Sequence, residues 1–351
     1  MKKRFVKLLV AIALVALTGS SAYARSWRIN SDATKKPHFT DINAAMSSSE
    51  VVAGDTLYLD PGTTITSTQN VTKQVTIIGT GYLLGGQPFE EAKVIGGINL
   101  KAAGTKLEGV RLARLDDSQR TLSIQAANVI VERCRYDHIS VESQNATIRQ
   151  CSGYRIYGKG STNTTSANCT IENCLIATSG TVCVFDLYSP TIRNNYIYNK
   201  GTIYTFSNIS SGVIINNLIL RSNSNALNNF FQNISTNTIT NNVMSCAESV
   251  YGSTYPDNVY LGALPEGAYY QHVPTDAVMT DTDREAPLLK ELTVLRGAAT
   301  DGGDCGPFGG MYPYVCSGYP LGMPHFESST VPTRPQDGQL RVTQKVVLQS
   351  E

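Results

Sequence analysis

A short pattern of apolar and polar positions recurs along the middle of the chain. Between about Leu107 and Met244 the pattern apolar-x-x-Cys/Asn-x-apolar aligns seven times, at spacings of 17 to 25 residues. A constant core pattern with unequal spacing is typical of a solenoid, in which the coils keep their register while the loops vary in length. Each copy begins with an aliphatic residue, at Leu107, Val131, Ile148, Ile171, Ile192, Ile214 and Ile239.

The composition of the copies favours strands over helices. β-branched residues dominate the apolar positions, and such residues pack well on a pleated surface. A helical solenoid needs apolar residues at i, i+3, i+4 and i+7 over ten or more residues, whereas Asn-Asn, Asn-Ser and Ser-Gly pairs interrupt the runs here. The pattern therefore predicts an all-β chain, a parallel β-helix whose coils pair about 4.8 Å apart.

The third position after each aliphatic residue is mostly Cys or Asn. We interpret this column as an inward-facing structural ladder at a bend, because asparagine tolerates left-handed backbone angles and stacked asparagines hydrogen-bond to one another. We expect its cysteines to be buried free thiols, since cysteine behaves as a small apolar residue. The ladder is predicted at Cys134, Cys151, Cys174, Asn195, Asn217 and Asn242.

The position directly after each aliphatic residue is often charged. These residues are predicted to stack on the outer face as cross-strand ion pairs, each weak because it is exposed. This interpretation of Glu132 and Glu172 is structural rather than catalytic. The column consists of Glu108, Glu132, Arg149, Glu172 and Arg193.

The first 24 residues read as a signal peptide. A basic start, Met1 to Arg4, precedes an apolar stretch from Leu8 to Leu17, and Ala22-Tyr23-Ala24 has the form of a cleavage site. The segment is too short to span a membrane. Its removal takes away four basic residues, so the formal charge changes from +1 to 25 − 28 = −3. A slightly acidic exported protein is not expected to bind nucleic acid.

Three segments before the repeats carry a family resemblance. Phe39–Met46 reads as a short helix with Thr40 or Asp41 near its cap, and a Gly-Asp-Thr stretch at 54–56 and an Ile-Ile-Gly stretch at 77–79 follow. This order resembles the first coil of the right-handed parallel β-helix proteins of the pectate-lyase-like superfamily. Residues 301–318, rich in Gly, Pro and Cys, resemble the C-terminal portion of secreted bacterial members without an assigned function.

The resemblance and the repeats together suggest a domain plan. It comprises a signal peptide (1–24), an N-terminal cap with the first strand (25–60), the β-helix (61–260), an irregular Pro/Gly-rich C-terminal cap over the last coil (261–327), and a linker with a terminal strand (328–351). A disulfide between Cys305 and Cys316 would pin that cap; two buried thiols are the alternative.

The sequence offers few residues for chemistry. Hydrolases of this superfamily carry a Gly-His-Gly segment, which is absent here, and the Asp116-Asp117 pair does not match their motif. Lyases need a basic residue, often with calcium, beside a uronate carboxylate. The strongest grouping is a candidate ligand groove on consecutive coils; the alternative is an ordinary polar surface. The groove comprises His138, Glu142, Arg155, Tyr157 and Lys159, beside Asp186 and Tyr188.

These observations lead to two functional hypotheses. The first is a non-catalytic exported β-helix that binds an extended carbohydrate or another surface ligand, or that serves as an envelope scaffold outside the cell or in the periplasm. The second is a lyase that cleaves a uronate-containing polysaccharide by β-elimination, and it rests on fold analogy. No metal site or cofactor is predicted; calcium enters only with the lyase hypothesis.

Overall fold

The computed structural model describes residues 24–82, 90–112, 122–178, 181–221, 229–263, 293–314, 324–330 and 343–348, the last two ranges as backbone only. Residues 1–23 of the predicted signal peptide, Asp116-Asp117 and Cys316 lie outside these ranges. Strands are numbered in chain order.

The largest sheet, sheet A, has ten parallel strands. From β2 onward, strands of the other sheets separate successive members of sheet A along the chain, so the chain returns to sheet A once per coil. Its strands are β1 (Ser26–Ile29), β2 (Thr56–Leu59), β5 (Thr76–Ile78), β8 (Lys106–Glu108), β11 (Ile130–Glu132), β13 (Thr147–Arg149), β16 (Thr170–Glu172), β19 (Thr191–Arg193), β22 (Val213–Ile215) and β25 (Thr238–Thr240).

Sheet B follows sheet A in each coil and is divided into a part of three strands and a part of six. The two parts are linked by single bridges from Arg135 to Arg111 and to Ser152. The first part contains β3 (Thr64–Ile65), β6 (Lys93–Val94) and β9 (Arg111–Leu112); the second contains β14 (Ser152–Gly153), β17 (Leu175–Thr178), β20 (Tyr196–Asn199), β23 (Leu218–Arg221), β26 (Val243–Met244) and β27 (Val259–Tyr260).

Sheet C completes the coil with eight parallel strands. Because parallel strands joined by such connections wind in one sense, the chain forms a right-handed parallel β-helix, as predicted. The strands of sheet C are β4 (Gln69–Val71), β7 (Ile98–Leu100), β10 (Leu122–Ile124), β12 (His138–Val141), β15 (Arg155–Tyr157), β18 (Val184–Tyr188), β21 (Phe206–Ser210) and β24 (Phe231–Ser235).

Helices are few and short. The predicted N-terminal helix is α1 (Ile42–Ser47), and the Asp41 side chain caps it by accepting a hydrogen bond from Ala44 N at 2.8 Å. The second helix, α2, spans Glu248–Tyr251, and 3-10 turns occur at Ala33–Lys35, Thr164–Ser166 and Thr293–Leu295. Among the described residues, no helix is long and apolar enough to cross a membrane.

The two apolar columns of the repeat form the core. The seven aliphatic residues that begin the copies are at most 5% exposed. In the second column, Tyr136 takes the place of an aliphatic residue, and the next coil has Gly153 there. A Cβ at Gly153 would collide with the Tyr136 ring, so the glycine makes room for the aromatic side chain.

The bend between sheets A and B differs from the prediction by one residue. The left-handed backbone (φ 48° to 58°) belongs to the residue before the Cys/Asn column, at Arg133, Gln150, Asn173, Asn194, Asn216 and Asn241. This bend residue directs its side chain outward, which frees the next residue to point inward and stack.

That the predicted C-terminal cap covers the last coil stays a prediction, since residues 264–292 and 315–323 lie outside the described ranges. Residues 293–314, here called the strap, run along the side of the β-helix from the last coils towards the first. Side chains of the bend residues hold it: Asn241 to Ala298 O, Asn216 to Thr300, Asn194 to Asp304 O, Asn173 to Pro307 O and Gly309 O, and Gln150 to Pro313 O.

The strap also covers an apolar outer face of sheet B. Leu295, Ala299, Cys305 and Tyr314 pack there in a second core, separate from the interior of the coil. Sheet B is therefore apolar on both faces, as expected of a sheet that is covered on both sides. The residues it contributes to this second core are Leu175, Ala177, Tyr196, Tyr198, Leu218, Leu220 and Val243.

An antiparallel pair of strands, β28 (Pro324–Thr330) and β29 (Thr343–Leu348), follows the strap. Strand β29 lies within the stretch where a terminal strand was expected. Strand β28 begins within the segment that was predicted to be irregular, so regular structure starts earlier than the sequence suggested.

Candidate functional site

The outer face of sheet C brings the first five groove residues together. His138, Arg155 and Tyr157 lie on β12 and β15, and Glu142 and Lys159 follow the ends of these two strands. In the register of β12 with β15, His138 lies opposite Arg155 and Ser140 lies opposite Tyr157. The residues between them, Ile139 and Ile156, are fully buried in the interior. Because side chains alternate along a strand, His138, Ser140, Arg155 and Tyr157 all point outward.

One side of this face carries a cation and a histidine. Arg155 Nη2 lies 3.4 Å from His138 Nδ1, and its guanidinium carbon is 5.7 Å from the centroid of the Tyr157 ring. His138 is 9% exposed, so it is packed into the face rather than projecting from it. Arg155 and His138 thus form the margin next to sheet B.

An ion pair lies on the opposite side of the face. Lys159 Nζ is 3.1 Å from Glu142 Oε2, and the other carboxylate oxygen accepts hydrogen bonds from Ser123 and Ser140 at 2.8 and 3.0 Å. Burial alone would raise the pKa of Glu142, but the two serines and Lys159 outweigh it and hold the pKa below its ordinary value. Glu142 is therefore a carboxylate at neutral pH.

Two aromatic rings stack at the centre of the face. Tyr157 and Phe185 lie opposite each other on β15 and β18, with ring centroids 5.1 Å apart and planes inclined by 11°. Both side chains are partly exposed. They form a ridge across the sheet, with Ser207 and Gln232 on the next two coils.

Asp186 and Tyr188 lie at the edge of this arrangement. Asp186 has a left-handed backbone (φ 58°) that interrupts β18, and its carboxylate accepts a hydrogen bond from Asn208 at 3.0 Å. Asn233 in turn donates to Asn208 at 2.9 Å. Asp186 thus begins an outer asparagine ladder, whereas Tyr188 lies beyond the irregularity and pairs with Ser210.

The sequence prediction missed Phe185, Ser123 and Ser140. A signal for Phe185 was present, because Val184 and Leu187 point inward and the residue after Val184 must then face outward. Ser123 and Ser140 are buried despite facing outward. Their role as donors to Glu142 depends on the register of β10 with β12, which the irregular spacing of the coils did not reveal.

The inner ladder is continuous through the last four coils. Asn195 N, Asn217 N and Asn242 N each donate to the side-chain oxygen of the next coil's asparagine at 2.9 to 3.0 Å, and the last acceptor is Asn258, which the sequence prediction did not include. Cys174 N donates to Asn195 Oδ1, and Cys134 N donates to Cys151 Sγ. The three ladder cysteines are buried free thiols.

Cys305 also carries a buried free thiol, which donates to Asn241 O at 3.2 Å. Burial, together with the nearby Asp304 and Asp301, raises the pKa of the Cys305 thiol to about 12. Since Cys316 lies outside the described residues, its disulfide with Cys305 stays a prediction.

The acidic column on sheet A is buried, not exposed as predicted. Glu108, Glu132 and Glu172 are 3% to 5% exposed. Arg133 pairs with both Glu108 and Glu132, and Lys106 bridges the same two carboxylates at 2.6 and 3.0 Å. The strap reaches this network at Arg149, where Tyr312 lies over the guanidinium with 4.1 Å between ring centroid and carbon.

No metal centre emerges from the described residues, since no three His, Cys, Asp or Glu side chains among them are arranged to hold an ion.

No protein-family model matches the chain, and no curated protein sequence matches it. One solved structure to which the chain is similar is the pectin methylesterase from Aspergillus niger. That similarity covers 75% of this chain and 94% of the other, at 14% sequence identity and a TM-score of 0.37. The strand register described above, rather than that likeness, defines the chain as a parallel β-helix.

Proposed function

We propose that the protein is an exported, non-catalytic β-helix that binds an extended carbohydrate on the outer face of sheet C. The stacked pair of Tyr157 and Phe185 is the observation that carries the proposal. Sugar rings have apolar C–H faces that pack on aromatic rings, and their hydroxyl groups need polar partners close by. A few placed polar groups around an apolar surface are the usual composition of a ligand site.

The charges around the aromatic pair support binding rather than catalysis. Lys159 donates to Glu142, and Glu142 is held as a carboxylate by that lysine and two serines. Arg155 stays protonated and lies over Tyr157. Both cations are thus hydrogen-bond donors at the site, suited to hydroxyl groups or to a uronate carboxylate.

The rigid sheet supports an elongated ligand. Side chains at equivalent positions on successive coils repeat about every 4.8 Å along the axis. The outward column of sheet C is polar on both sides of the aromatic pair, with Asn70, Asn99, Ser123 and Ser140 towards the N-terminal end, and Ser207 and Gln232 towards the other. A linear glycan is the ligand class that fits such a column.

The test is binding of the mature protein to a glycan array, followed by calorimetry with the best polymer. We expect Tyr157→Ala and Phe185→Ala each to weaken binding about tenfold or more, equivalent to about 1.4 kcal/mol. Tyr58→Ala is the matched control, because Tyr58 is a partly exposed outward tyrosine on β2 of sheet A. Unchanged affinity in both sheet C variants, or equal loss in the control, would reject the proposed site.

The lyase hypothesis is tested on the same protein. Absorbance of unsaturated uronate products is followed with pectate, alginate and chondroitin, in calcium and in chelator. The binding proposal expects no product. Product formation that is lost in Arg155→Ala or Lys159→Ala would replace it with the lyase.

A further inference from the structure

The first described residues of the chain contact a buried carboxylate. Asp55, in the Gly-Asp-Thr stretch, has no exposed surface and accepts three hydrogen bonds. Its donors are Arg25 N at 2.8 Å, the Trp27 indole at 2.8 Å and Val52 N at 3.0 Å. Of these three donors, Trp27 lies in strand β1 and Arg25 directly precedes it, so Asp55 attaches that strand to the rest of sheet A.

Arg25 is also where the ladder of sheet A begins. Thr56 N donates to Arg25 O at 2.8 Å, directly before the register of β1 with β2. Among the described residues, Arg25 is the first along the chain that forms a hydrogen bond. Ala24 and Arg25 are both exposed, so the bond between them lies at the surface.

We propose that hydrolysis of the Ala24–Arg25 bond creates an α-ammonium group that pairs with Asp55 and fixes strand β1 at the mature N-terminus. The proposal rests on the signal peptide read from the sequence and is independent of carbohydrate binding. In the hydrolysis, water supplies its oxygen to the new Ala24 carboxylate, the C–N bond breaks, and the Arg25 nitrogen leaves as an amine that is protonated at neutral pH.

The geometry suits the charged product. The distance of 2.8 Å is between the Arg25 peptide nitrogen and Asp55 Oδ1, and it also falls in the range of a charge-assisted hydrogen bond between an ammonium and a carboxylate. A peptide N–H donates one hydrogen bond to the carboxylate but carries no net charge. The ammonium donates the same bond and adds an ionic attraction at the same atom. Maturation therefore strengthens a contact that the fold already provides.

The pKa of Asp55 is consistent with this role. Burial alone would raise it, but the hydrogen bonds from Arg25, Val52 and Trp27 outweigh burial and hold the pKa below its ordinary value. The Asp55 carboxyl is therefore charged at pH values above about 4. The ion pair is lost at higher pH, when the α-amine deprotonates.

The first test is the N-terminal mass of the full chain after export from a bacterial host. The proposal expects a protein that begins at Arg25. Any other start in the stable exported product overturns it.

The second test compares a chain that starts at Arg25 with one that starts at Ala24. The added residue moves the ammonium up to about 3.5 Å away and leaves an amide at Arg25. We expect the Arg25 chain to melt about 2 °C higher at pH 7, with the difference lost above about pH 10. Both chains carry the Arg25 side chain and His38, which meets Trp27 edge-on, so the two chains differ only in the position of the α-amine.

A variant pair assigns the effect to one carboxylate. In Asp60→Asn, which removes the partly buried partner of the exposed Arg28 side chain, the difference in melting temperature between the two chains should persist. In Asp55→Asn it should disappear. If Asp55→Asn does not fold, the Arg25 and Ala24 chains still decide the matter, since equal melting temperatures would reject the ion pair.

Discussion

Neighbouring residues with the same side chain perform different tasks in this protein. In each Asn-Asn pair at the bend between sheets A and B, the first asparagine adopts a left-handed backbone and binds the strap, as Asn216 does with Thr300. The second points inward, and Asn217 both accepts from Asn195 and donates to Asn242. The side chain is the same, but the backbone angle of the first residue sends the two in opposite directions.

The inner ladder makes a prediction at the scale of one residue. Asn217→Ala should lower the free energy of unfolding by about 3 kcal/mol, because it leaves buried donors of Asn195 and the carbonyl of Ile192 without their partner. Urea denaturation measures the change. Asn99→Ala is the control, since Asn99 donates to Asn70 on the partly exposed outer face, and it should cost about 0.5 kcal/mol. Similar costs in both variants would contradict a special role for the inner ladder.

At the scale of elements, stacking turns weak pairs into a buried network. Strands β8, β11 and β13 place Glu108, Glu132 and Arg149 at the same register position, and Arg133 and Lys106 neutralise the acids. Burial tends to raise the pKa of Glu132, but Arg133, Lys106 and Arg149 outweigh it and keep the pKa below its ordinary value. Removal of one partner from such a network is costly because the other charges stay buried.

This network predicts how stability depends on pH. A carboxyl whose pKa is lowered on folding stabilises the protein above its unfolded pKa, and that stability is lost as pH falls through the folded value. Glu132→Gln should therefore cost about 3 kcal/mol at pH 7 and should show a smaller further loss between pH 6 and pH 3 than the native chain. Urea midpoints across this range test it.

The control for this prediction is Glu50→Gln, an exposed acid outside the network, which should keep the native pH profile. A profile for Glu132→Gln that parallels the native one would show that other groups govern acid denaturation.

At the scale of the molecule, the strap joins coils that the β-helix alone connects only to their neighbours. It reaches from Asn241 near the last coil to Tyr82 near the first, where the hydroxyls of Tyr82 and Tyr314 are 2.7 Å apart. In a simple solenoid each coil contacts only the next. The strap adds contacts along most of the stack and covers the apolar outer face of sheet B.

The strap prediction compares two apolar residues of one segment. Leu295 is 4% exposed in the second core, and Leu295→Ala should cost about 2 to 3 kcal/mol in urea denaturation. Met311, at 81% exposure, is the control, and Met311→Ala should change stability by less than about 0.5 kcal/mol. If Leu295→Ala is also neutral, the strap does not contribute to the stability of the fold.

The sequence by itself determined the coil. The aliphatic columns, the inward Cys/Asn column and the Asp41 cap follow from local patterns that repeat every coil, so the fold class and the outward placement of His138, Arg155 and Tyr157 could be predicted. Tertiary structure decided what covers the coil. The strap meets Gln150 from 163 residues away, and no period in the sequence marks such a contact. The same strap places Tyr312 on Arg149, which pairs with the buried Glu132, and the lateral register of sheet C sets Phe185 against Tyr157.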